Sequence, residues 1–145
     1  MAKILIVDDS SLTRLCVARL LERAGYTTST ASNGKDAWMM LYTGLPDLIV
    51  LDLMMPQMDG LAFLRLLRHN HHWNDLPVII LTGHDNEEKM VAQARALGVS
   101  DIIAKGNSSM EKLMARVSDL ASLQKVEMKP TRRGAPRRDV AFAAR

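Results

Sequence analysis

Five residues at the ends of apolar runs carry the side chains that could do chemistry in this 145-residue chain. Asp8 and Asp9 follow the run Lys3–Val7, Asp52 follows Leu48–Leu51, Thr82 follows Val78–Leu81, and Lys105 follows Asp101–Ala104. Taken singly each has an ordinary explanation: a helix cap, a strand-end hydroxyl, a solvated lysine. Brought together they form a different object. Three neighbouring carboxylates repel one another unless a cation sits among them, and hard divalent cations such as Mg²⁺ take oxygen ligands. A carboxylate is also a nucleophile toward phosphorus, forming an acyl phosphate. Phosphoryl transfer asks for charge neutralisation and in-line positioning more than for proton chemistry. An ammonium group, a hydroxyl and a cation around one carboxylate supply both.

The elements that must position these residues follow from periodicity. Short runs rich in β-branched or aliphatic residues, the second of them weaker, alternate five times with segments of helical spacing. The strands are expected at 3–7, 27–30, 48–51, 78–81 and 101–104. The first helix starts at a cap among Asp9, Ser10 and Ser11 and presents Leu12, Leu15, Cys16 and Leu20 as its apolar face, ending near Gly25. The second follows Asn33-Gly34 to about Tyr42, and the third opens at Asp59-Gly60 and runs to about Arg68. Capping boxes are expected at Asp85/Glu88 for the fourth and Ser108/Glu111 for the fifth, whose apolar face is Met110, Leu113, Met114, Val117 and Leu120. Parallel strands need crossover connections, so the alternation predicts an α/β doubly wound parallel sheet with helices on both faces. In such sheets ligands bind beyond the carboxyl ends of the strands, where the five residues fall.

Charge separates the chain into two parts. Residues 126–145 hold six of the 19 Lys and Arg residues but two of the 16 Asp and Glu residues, leaving a net charge of −1 on the first 125. The basic character belongs to a tail, Lys129-Pro130-Thr131-Arg132-Arg133-Gly134-Ala135-Pro136-Arg137-Arg138, which has little to bury and reads as disordered. One α/β domain over 1–124 and a basic tail over 125–145 are the expected organisation. The tail could contact nucleic acid or an acidic partner, but a solubilising segment is the favoured reading. The single cysteine, Cys16, excludes an internal disulfide and reads as a small core residue. No apolar run reaches membrane-spanning length and no signal-peptide pattern opens the chain, so a cytoplasmic protein is expected. His69, His71 and His72 lack a ligand spacing and read as a solvated loop, and the ten methionines as core filling.

The motifs ILIVDDS, DLIVLDLMMPQMDG, VIILTG and DIIAKG resemble, in order and spacing, the receiver domains of bacterial response regulators, over residues 2–124. That resemblance implies the flavodoxin-like strand order 2-1-3-4-5 with five flanking helices. It implies Asp52 as phosphoacceptor, Asp9 as a direct Mg²⁺ (or Mn²⁺) ligand together with Asp52, Asp8 acting through a metal-bound water, and the backbone carbonyl of Met54 as a further ligand. Thr82 matches the switch hydroxyl and Lys105 the lysine that pairs with the phosphoryl group. The implied partners are a sensor histidine kinase or histidine phosphotransfer protein upstream, as in a phosphorelay, and a protein target downstream. Such a domain is a switch that assists its own phosphorylation and dephosphorylation rather than an enzyme acting on other substrates.

Two positions depart from the family pattern. A proline with a cis bond usually follows the lysine, whereas here Gly106 does, and a trans Lys105–Gly106 bond is expected because a cis non-proline bond costs about 2.5–4 kcal/mol. Ile102 stands where many members carry a Tyr or Phe coupled to the switch Thr. Met54 and His84 hold positions that tune acyl-phosphate lifetime in this family. Three readings stand side by side: a phosphorylatable single-domain switch, a phosphorylation-independent adaptor or the receiver part of a longer regulator, and a flavodoxin-like cofactor protein. The last lacks a glycine-rich phosphate cradle, since Asp8-Asp9-Ser10 occupies the first turn.

Overall fold

Strand and helix alternate five times in a computed structural model, which describes residues 2–55, 59–83 and 88–127. In chain order the elements are β1 (Lys3–Val7), α1 (Ser11–Arg23), β2 (Thr27–Ala31), α2 (Gly34–Leu41), β3 (Leu48–Leu51), α3 (Gly60–His69), β4 (Val78–Thr82), α4 (Glu88–Ala96), β5 (Asp101–Ala104) and α5 (Ser109–Glu127). All strand pairs are parallel and the sheet runs β2-β1-β3-β4-β5. Both the α/β class and the expected order hold.

The period-2 alternation of each strand divides the core into two layers. Leu5, Val7, Ile49, Leu51, Val78 and Ile80 face α2, α3 and α4, packing with Ala37, Leu41, Phe63, Leu64, Leu67 and Ala94. Ile4, Ile6, Leu48, Val50, Ile79 and Leu81 face α1 and α5, packing with Val17, Leu21, Leu113 and Val117. Because both faces of the central strands are covered, their sequences are continuous apolar runs. Ser10 caps α1 through its side chain to the Thr13 N–H, Asn33 caps α2 at Asp36, and Asp59 caps α3 at Ala62. Each offers a short acceptor to an otherwise unsatisfied first-turn donor.

The structure overturns three expectations. Leu12, Leu15 and Cys16 are exposed, and the buried face of α1 is Val17 and Leu21, with Leu20 half-buried. At 3.6 residues per turn Leu12 and Leu15 lie about 140–160° round the helix from Val17, so one helix cannot bury both sets. Ser108 does not cap α5: its φ is +65° and its hydroxyl donates to the Asn107 carbonyl, whereas an N-cap needs extended backbone. The methionines divide: Met55 is buried and Met90, Met110 and Met114 partly so, but Met39 and Met54 are exposed. His71 and His72 are exposed in a turn, as expected, whereas His69, also exposed, is the last residue of α3 rather than part of the loop. Trp73 beside them is buried, its ring 5.0 Å from Trp38 and 5.2 Å from Tyr42 in edge-to-face contacts. Asp85, His84 and the basic tail beyond residue 127 lie outside the described residues.

Candidate functional site

The sheet ladder extends one residue past each of three strands, and this fixes the site backbone. The Asp8 N–H donates to the Ala31 carbonyl at 3.1 Å, the Asp52 N–H to the Val7 carbonyl at 2.9 Å, and the Lys105 N–H to the Thr82 carbonyl at 2.8 Å. The three loops therefore leave the sheet in register, with Asp8, Asp52 and Lys105 at one edge. Asp8, Asp52 and Thr82 are buried, and Asp9 is exposed at the rim.

One carboxylate oxygen from each of Asp8, Asp9 and Asp52 lies within 4.8 Å of the others. The Lys105 ammonium sits 2.8 Å from Asp8 Oδ2 and 3.8 Å from Asp52 Oδ2. The other Asp8 oxygen accepts from the Ser10 N–H at 2.9 Å, and Asp52 Oδ1 accepts from the Met54 N–H at 3.2 Å. Asp52 is pushed up from 3.8 to about 6. Burial is the largest cause; the Met54 hydrogen bond opposes it, Asp8 adds to it, Lys105 opposes it and Asp9 adds a little. A buried carboxylate beside two others binds its proton more tightly, and a cation among them would remove that preference. The donor set fits a hard divalent cation: all three side chains offer anionic oxygen, and no Cys or His stands with them among the described residues.

All five residues expected at the strand ends thus meet at one edge. Met54 belongs to the same loop through its N–H, and its side chain is exposed. The Lys105–Gly106 bond is trans, as expected. Ile102, opposite Ile80 in the β4–β5 register, is half-buried and packs on the α2–α4 layer with Met90, Leu97 and Val99. Two positioning residues escaped the sequence reading. A Cβ on Gly60 would stand 2.1 Å from the Asp52 carbonyl oxygen and 2.7 Å from the Leu53 Cα, so only glycine lets α3 press on the Asp52 loop. Its N–H donates to the Leu53 carbonyl at 3.1 Å. The Asp59-Gly60 pair was legible only as a helix start. Arg14 donates to the Asp8 carbonyl at 2.7 Å, a contact six residues along the chain that no motif marks.

The sequence pattern of the response regulator receiver domain matches residues 4–118. The chain belongs to the response regulator receiver family. This receiver is 38% identical over 125 residues to the response regulator MprA of Mycobacterium ulcerans, covering 86% of this chain and 52% of that protein. It spans about half the length of the curated relatives it matches. Among solved structures, the Francisella response regulator 1452 receiver domain superposes with a TM-score of 0.75 at 31% identity, covering 86% of this chain and 99% of that one. The response regulator TrrA of Thermotoga maritima, solved in complex with Mg²⁺ and BeF, gives a TM-score of 0.73 at 28% identity over 83% of this chain and 99% of that one.

Proposed function

We propose that this receiver accepts a phosphoryl group on Asp52 from a phosphohistidine of a histidine kinase or phosphotransfer protein, and so switches its contacts with a downstream protein. The observation that carries the reading is the convergence of the Asp8, Asp9 and Asp52 oxygens within 4.8 Å, with the Lys105 ammonium against them. An Asp52 oxygen forms the new O–P bond while the donor N–P bond breaks, its electron pair leaving with the imidazole, which takes up a proton. Asp9 and Asp52, with the Met54 carbonyl, are the residues to hold Mg²⁺ or Mn²⁺, and Asp8 does so through water. The cation when bound neutralises charge on the transferring phosphoryl oxygens. Lys105 supplies a second positive charge, and Thr82 a hydroxyl for the phosphoryl group once it is in place. Water attack on the acyl phosphate later resets Asp52, so the domain is a switch rather than an enzyme acting on other substrates.

The domain is read as residues 1–124, working alone or as the receiver part of a longer regulator. The reaction is read as cytoplasmic, where ATP is available to charge a histidine kinase; among the described residues no helix is long and apolar enough to cross a membrane. The test is intact-mass measurement after incubation with Mg²⁺ and a small phosphodonor. One added phosphoryl group, lost in Asp52→Ala, is expected. An unlabelled protein under conditions that label a control receiver would favour a phosphorylation-independent adaptor, a reading to which the aliphatic Ile102 lends its weight.

A further inference from the structure

The loops before β4 and β5 enclose, with α3 and α5, a cavity of about 630 Å³. It opens at the amino-terminal edge of the sheet, a strand's length or roughly 15 Å from the edge that carries Asp52. Small-molecule sites run from about 300 to 1,000 Å³. Leu76, Leu97 and Leu120, all half-buried, give this cavity an apolar wall, and Arg68, Asp75 and Ser100 give it polar groups.

Arg68 is the group that the fold leaves unbalanced. It is half-buried in the last turn of α3 and donates through Nε to the Leu97 carbonyl at 2.7 Å, through Nη1 to Leu76 at 2.8 Å and through Nη2 to Gly98 at 3.2 Å. A guanidinium has five N–H groups, so one remains on each terminal nitrogen. Carbonyls fill donors but carry no net charge, and among the described residues no carboxylate forms an ion pair with Arg68. Arg116, the half-buried arginine that reaches the Ser100 carbonyl from α5, is different: Asp101 at 3.0 Å and Asp119 at 3.4 Å neutralise it. Burial pulls the Arg68 guanidinium below its ordinary value, and Asp75, exposed at the rim, pushes back.

We propose that this cavity is a further ligand site, taking a small molecule with one carboxylate and a short apolar body. The carboxylate sits on the two remaining Arg68 N–H groups beside the Ser100 hydroxyl, and the body lies against Leu76, Leu97 and Leu120. A carboxylate fits better than a phosphate, because one guanidinium balances one charge and Asp75 at the rim opposes a second. Arg68 already gathers α3 and both loops round one group, so a ligand seated on it touches all three.

The test is a titration of the whole chain at neutral pH with hexanoate, hexanamide and hexylammonium, read from the backbone amide resonances of Leu97, Gly98 and Ser100. Hexanoate should bind about tenfold more tightly than hexanamide, since a charge-assisted hydrogen bond is about twice as strong as a neutral one. Hexylammonium and inorganic phosphate should leave these amides unmoved. Asp75→Asn should tighten hexanoate about threefold by removing a screened charge at the rim. Leu120→Trp, which fills the cavity from α5, should abolish saturable binding, and Arg68→Met should erase the preference for hexanoate over hexanamide. Equal affinity of the parent for hexanoate and hexanamide, saturable binding that survives Leu120→Trp, or a preference that survives in a folded Arg68→Met protein would overturn the inference. So would phosphate that matches hexanoate, or shifts confined to Asp8, Asp9 and Asp52. Should Arg68→Met fail to fold, the parent's preference and Leu120→Trp decide between them. The site stands or falls independently of phosphorylation at Asp52.

Discussion

Asp52→Asn should make the cation-free protein more stable at neutral pH. Burial and the two neighbouring aspartates hold the Asp52 pKa at about 6, against 3.8 for an ordinary aspartate. The folded state binds this proton more tightly than the unfolded chain does, so stability falls as pH rises from about 4 through 6. Each pH unit between the two pKa values is about 1.4 kcal/mol, so ionised Asp52 costs the fold up to about 3 kcal/mol above pH 7. Asparagine removes that cost while its side-chain oxygen still accepts the Met54 N–H. Urea unfolding in the presence of EDTA, at pH 4, 6 and 8, measures the difference between parent and variant. The gap should be close to zero at pH 4 and widen to about 1–3 kcal/mol at pH 8. Excess Mg²⁺ should narrow it by stabilising the parent alone. A gap that is flat with pH, or an Asp52→Asn protein less stable at pH 8, would refute the argument.

Gly60→Ala should destabilise the domain by about 3 kcal/mol in chemical denaturation, because its Cβ meets backbone at 2.1 and 2.7 Å and backbone cannot step aside. Unchanged stability would mean that α3 does not press on the Asp52 loop. Arg68→Ala should cost about 2–4 kcal/mol. Its guanidinium donates to the carbonyls of Leu97 at 2.7 Å, Leu76 at 2.8 Å and Gly98 at 3.2 Å, tying α3 to the loops before β4 and β5. A loss under about 0.5 kcal/mol in the same denaturation series would show those carbonyls to be as well served by water. Cys16, exposed on α1, should react with a thiol reagent in native buffer to one equivalent per chain. A thiol protected until the protein unfolds would restore the face of α1 that the structure rejects.

The strands were legible because two-sided burial leaves no room for polar residues: Leu48–Leu51 and Val78–Leu81 carry none. The face of α1 was misread for the opposite reason. A helix signals burial by an apolar stripe, and α1 has two, Leu12-Leu15-Cys16 and Val17-Leu21. Hydropathy alone favours the larger side chains, and only the sheet against which the helix lies selects Val17 and Leu21. Trp73 was hidden by its polar neighbours, since its burial depends on Trp38 and Tyr42, more than 30 positions earlier in the sequence.

The same contrast runs through the site. Asp8, Asp52 and Lys105 were legible because strand ends are legible, and the sheet carries every strand end to one edge. The 2.8 Å seat of Lys105 on Asp8 was not, because a four-carbon stem reaches either carboxylate from the same backbone position. Ile102 separates chemistry from readout in physical terms. It stands opposite Ile80 and packs against the same buried cluster as Met90, Leu97 and Val99. An aromatic at this place could swing between solvent and core, but an aliphatic chain this short stays in the layer. Thr82 lies two residues past Ile80 on β4, and Met90 of α4 packs against the same layer as Ile102. The strand ends set which carboxylates gather at one edge, and the aliphatic Ile102 leaves α4 resting on a filled layer.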